Sequence, residues 1–90
     1  MTNEDLNRLK DKLIETTSFP SVYMFKFIVP SENRIIALAE NLFEENADIH
    51  TIESGKGKYT SITAKQVVMS AEEIIEVYKK AGEIKGLIFL

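Results

Sequence analysis

Ser54-Gly55-Lys56-Gly57-Lys58-Tyr59-Thr60-Ser61-Ile62 decides how this 90-residue chain is read, because alternating glycine and lysine lead directly into a strand pattern. A glycine-rich loop that opened a helix would present backbone amides to a nucleotide phosphate, whereas one that joins two strands mainly sets their register. No helical period follows Gly57. The stretch therefore predicts a hairpin.

Working outward, Asp48 to Ser54 predicts a short polar strand with Ile49 among its few apolar residues, which suits a sheet edge. Lys58 to Val68 predicts a longer strand. Ser70 with Glu73 reads as a capping box before a helix bearing Ile74, Val77, Tyr78 and Ala81, which Gly82 ends. Ile84 to Leu90 predicts a final apolar strand.

Before the hairpin, Phe19 to Val29 is rich in aromatic and branched residues and reads as a strand. Tyr23, Phe25, Phe27 and Val29 share one face; Val22, Met24, Lys26 and Ile28 share the other, which its lysine marks as less buried. Ser31 is placed to cap a helix over about 32–46, striped by Ile35, Leu38, Ala39, Leu42 and Phe43. Leu6, Leu9 and Leu13 give residues 4–16 an amphipathic helical period, with Asn3 as its cap.

After the leading helix the order is strand, helix, strand, strand, helix, strand. Right-handed crossovers turn that order into an α+β ferredoxin-like two-layer sandwich, with antiparallel sheet order 4-1-3-2 and two helices on one face. The expected organisation is an N-terminal helix over residues 1–17 and a ferredoxin-like domain over residues 18–90.

A hydrophobic fraction of 44% is ordinary for a chain with one modest core. Without cysteine there is no disulfide framework or thiolate nucleophile, which fits a reducing cytoplasm. The N-terminus lacks the apolar run of a secretory signal, and no stretch approaches the roughly 20 apolar residues of a membrane span. A net charge of -3 gives no general attraction to phosphate backbones.

Phe19-Pro20, Tyr23, Phe25-Lys26, Ser54, Lys56-Gly57, Tyr59, Ser61, Tyr78, Gly82 and Ile84 together resemble the YbeD-like bacterial proteins, from about residue 12 onward. The resemblance implies a small cytosolic protein with a ferredoxin-like fold similar to the ACT regulatory domains of amino-acid metabolism. It implies no reaction.

The residues themselves supply no reaction centre either. His50 is the single histidine, and one imidazole makes no metal site. Glu44, Glu45 and Asp48 lack calcium-loop spacing. Ser54, Ser61 and Ser70 have no companion base in a known motif. Lys56-Gly57-Lys58-Tyr59 has the basic-glycine-aromatic start of an RNA-recognition strand, but Ser61, Thr63 and Lys65 then replace the further aromatics that base stacking needs. No enzyme activity, cofactor, nucleic-acid partner or metal is expected.

Two binding modes remain. With both helices on one side, the opposite sheet face is left without a cover, and alternation assigns Met24, Lys26, Ile28, Tyr59, Ser61, Thr63, Leu87 and Phe89 to it. The leading helix folding back, or a second subunit, would cover that face, and the last strand offers an edge for sheet extension. The leading expectation is a noncatalytic regulatory or protein-interaction module that binds a partner or itself through the sheet. The alternative is an ACT-type sensor of small anions or amino acids using Lys26, Lys56, Gly57 and Lys58, with the hairpin amides forming an anion nest.

Overall fold

β1 (Ser21–Pro30) is the spine of the molecule, and the computed structural model, which describes residues 1–90, sets every other strand by reference to it. The remaining elements are α1 (Asn3–Thr16), α2 (Asn33–Glu40), β2 (Asp48–Ser54), β3 (Tyr59–Val68), α3 (Ala71–Ala81) and β4 (Ile88–Phe89). The antiparallel sheet has the order β2-β3-β1-β4, the expected ferredoxin-like arrangement.

Alternation on the two central strands builds the core. Phe25, Phe27 and Val29 of β1 and Ile62, Ala64 and Val68 of β3 are fully buried on one face. Ile35 and Ala39 of α2 and Ile74, Val77, Tyr78 and Ala81 of α3 close over them. Phe27 has ring centroids 5.7 to 6.3 Å from those of Phe25, Phe43, Tyr78 and Phe89, so the core is aromatic at its centre. The Tyr78 hydroxyl meets that of Tyr23 at 3.1 Å, and burial, helped by this contact, pushes its pKa up.

α1 does not cross the bare face of the sheet. It lies against α3, with Leu6 and Leu13 buried in the common core and Lys10 Nζ 3.3 Å from the Glu72 carboxylate. Its start is held one residue earlier than expected, by Thr2. Asp5 N–H donates to Thr2 Oγ1 and Thr2 N–H to Asp5 Oδ2, both at 3.1 Å. That backbone donor from Thr2 lowers the pKa of Asp5.

Four other details differ from the sequence expectation. α2 stops at Glu40, where Leu42 and Phe43 turn back in tight i to i+3 hydrogen bonds that still deliver Phe43 to the core. Ser31 does not cap it: Glu32 occupies that position, and the Ser31 hydroxyl instead meets Thr60 Oγ1 at 2.7 Å. At α3, Ser70 accepts from Glu73 N–H as expected, but the Glu73 carboxylate takes the N–H of Met69 rather than that of Ser70.

The fourth difference shapes the sheet. β4 is confined to Ile88 and Phe89, because residues 82–86 form turns and Gly86 adopts a left-handed φ of +84°. An added Cβ at Gly86 would stand 2.8 Å from Pro30 Cγ, so the turn is pressed against the end of β1. The last strand therefore offers little edge for sheet extension.

Candidate functional site: the bare face of the sheet

Cross-strand register assigns the outer face residue by residue, since directly opposed residues share a face. One row runs Ile52, Ser61, Ile28, Ile88 across all four strands. The next holds His50, Thr63 and Lys26, with Leu90 beside it through its N–H to the Lys26 carbonyl. Beyond come Asp48, Lys65 and Met24, then Val67 with Val22; Ser54, Tyr59 and Pro30 form the row at the hairpin end.

No helix covers these rows. Ile52 is 67% exposed, Val22 65% and Met24 52%, with Val67, Ile88 and Tyr59 also exposed. On the same face these apolar side chains are interspersed with Ser61, Thr63, Lys26 and Lys65. Its only charges are Lys26, Lys65 and Asp48, with His50 Nε2 lying 3.1 Å from the Asp48 carboxylate. Neither lysine forms an ion pair.

Of the residues expected here, Met24, Lys26, Ile28, Tyr59, Ser61 and Thr63 lie on this face. Leu87 and Phe89 do not. Phe89 pairs with Phe27 and is packed among the core rings, and Leu87 shares its side, so both belong to the helix-covered layer. Ile88 and Leu90 take their place. The terminal run Leu87-Ile88-Phe89-Leu90 is apolar at every position and carries no polar residue to reveal its phase.

The candidate anion-binding residues are not brought together. Lys26 pairs with Thr63 in the middle of the sheet, four residues along β1 from the Pro30–Tyr59 pair that borders the hairpin. At the usual strand rise that is about 13 Å. In the loop itself Gly55, Lys56 and Gly57 are successively left-handed, at φ +60°, +61° and +80°. The N–H groups of Gly57 and Lys58 donate to the carbonyls of Ser54 and Gly55, which removes them from any nest. The Lys58 carbonyl accepts from Ser31 N–H, so Ser31 ties the hairpin to the end of β1 by backbone and hydroxyl together.

Elsewhere the surface has shallow depressions. The largest, about 590 Å³, lies between α2 and the end of α3 over Leu38, Leu42 and Ile84; two others border α1. No three His, Cys, Asp or Glu side chains are grouped to hold a metal ion. No helix is long and apolar enough to cross a membrane.

Fold and site together define a small ferredoxin-like α+β protein whose distinctive surface is an apolar sheet face rather than a pocket. The chain belongs to the family described as "Protein of unknown function (DUF493)", whose model matches residues 14–90, and this is the YbeD-like family that its first strand and hairpin resemble. It is similar to a UPF0250 protein of Shewanella halifaxensis (strain HAW-EB4), 31% identical over 83 residues that span 88% of this chain and 94% of the relative. A UPF0250 protein of Shewanella piezotolerans (strain WP3 / JCM 13877) is 29% identical over the same shares of the two chains. No solved structure gives a significant match.

Proposed function

We propose that this chain is a noncatalytic interaction module that takes a protein partner on the open face of its sheet, in a regulatory role within the cytoplasm. The observation that supports this is the set of apolar side chains left without a helix over them on that face: Ile52, Ile28 and Ile88, in one row with Ser61, and Met24, Val22 and Val67 beyond the row of Lys26. Burying such side chains yields roughly 25 cal/mol per Å² of apolar surface, against which the costs of association and ordering are set.

The charges favour a different protein over a second copy on this face. Two copies pressed face to face would gather Lys26 and Lys65 from each into the centre, with only Asp48 near the rim to answer them. Desolvating unpaired ammonium groups is costly. A partner with carboxylates set among apolar groups meets the surface better.

The test is the double variant Met24→Glu, Ile88→Glu, used as immobilised bait in native cell extract beside the wild type. Both side chains are about half exposed, so melting should change by only about 4 °C or less. Proteins retained by the wild type should be lost from the variant. Retention of the same proteins by a folded variant would contradict the proposal.

A further inference from the structure

We infer that a second copy of this chain pairs along β2, making an antiparallel dimer in which the two sheets become one. The surface involved is an edge of the sheet, so the inference stands independently of any partner on the open face.

β2 is the outer strand on its side and the longer of the two edges, seven residues against two in β4. Edge strands are ordinarily protected by shortness, charged side chains, proline or a bulge. β2 has no proline, pairs with β3 without a skipped residue, and keeps its carboxylates, Asp48 and Glu53, away from the middle. Its outer backbone groups are free to pair, and every side chain from His50 to Ser54 is exposed.

One register uses the whole strand. A two-fold axis through Thr51 sets Thr51 opposite the twin's Thr51, His50 opposite Ile52, Ile49 opposite Glu53 and Asp48 opposite Ser54. No like charges are opposed, and a threonine pair is favourable across antiparallel strands. Moving the axis to His50 or Ile52 would shorten the ladder.

The flanks of the strand supply the complementarity. The chain enters β2 through Glu44, Glu45 and Asp48, and leaves it through Lys56 and Lys58. The strand separates these groups by about 20 Å, beyond the screening length, so they do not neutralise one another within one copy. None of Glu44, Glu45, Lys56 and Lys58 forms an ion pair in the single chain. Antiparallel pairing brings the acidic entry of each copy to the basic exit of the other, twice by symmetry.

Sedimentation equilibrium of the full chain tests this. The wild type should dimerise, less tightly at high salt. Lys56→Glu with Lys58→Glu, and separately Glu44→Lys with Glu45→Lys, should each weaken the dimer about tenfold or more, because both ends then oppose like charges. These side chains are exposed, so the fold is preserved. Mixing the two variants should restore association as a mixed dimer, since the added glutamates of one then meet the added lysines of the other. A wild type that stays monomeric at every concentration, or variants that dimerise as tightly as the wild type, would overturn the inference.

Discussion

Phe27→Ala should cost about 3–5 kcal/mol of folding stability, the largest loss expected from any single truncation in this chain. Phe27 has no exposed surface and stands at the crossing of β1 with its neighbours, in ring contact with Phe25, Phe43, Tyr78 and Phe89. Beyond Phe25 of the same strand, those rings come from the turn after α2, α3 and β4, so one cavity loosens three separate attachments. A small domain has only about 5–15 kcal/mol in hand, and the variant should sit near its unfolding threshold. Denaturant titration should show a large drop in midpoint at nearly constant slope. A loss below about 1 kcal/mol would mean that the aromatic centre is not packed as described.

The second large effect is expected at Gly86, away from any aromatic ring. Gly86→Ala forces a side chain into the left-handed region, at roughly 1–2 kcal/mol, and places its Cβ against the Pro30 ring. Overpacking typically adds about 1–3 kcal/mol. The damage should be local: β4 should loosen, with faster amide exchange at Leu90, whose N–H donates to the Lys26 carbonyl. Gly82→Ala is the contrast. Gly82 ends α3 at φ -62°, and an added Cβ there meets nothing nearer than 3.4 Å, so the change should be close to neutral. Equal effects at the two glycines would contradict the turn that seats β4.

The two central strands were legible because their alternation is marked. Lys26 interrupts the outer face of β1, and Ser61, Thr63 and Lys65 do the same for β3, so the buried sides follow at once. The hairpin was legible because Gly55 and Gly57 both take left-handed φ, as a tight connection between strands requires. The phase of Leu87 to Leu90 was not, because four consecutive apolar residues fit either face and only the turn at Gly86 selects one. The place of α1 was equally closed to sequence reasoning. Leu6, Leu9 and Leu13 would suit any apolar surface, and docking on α3 is a tertiary choice, accompanied by the Lys10–Glu72 contact. Ser31 misled for a local reason: a serine ahead of a helical stripe resembles a cap, while its bond to Thr60 joins residues far apart in sequence.

The bare face and the β2 edge would act together if both are used. Pairing along β2 would set two open faces side by side and give a partner a surface twice as wide, while leaving Met24, Val22 and Ile88 exposed. The effect on binding would come through avidity.

Site-specific photocrosslinking in cells tests the central claim most directly. A photoreactive residue is placed at Met24 or Val67 on the open face, and as control at Ile14 or Leu38, exposed apolar positions on the helices. The account predicts discrete crosslinked species from positions 24 and 67 and none in common from positions 14 and 38. The same species from all four positions, or crosslinks from the helix positions alone, would contradict it.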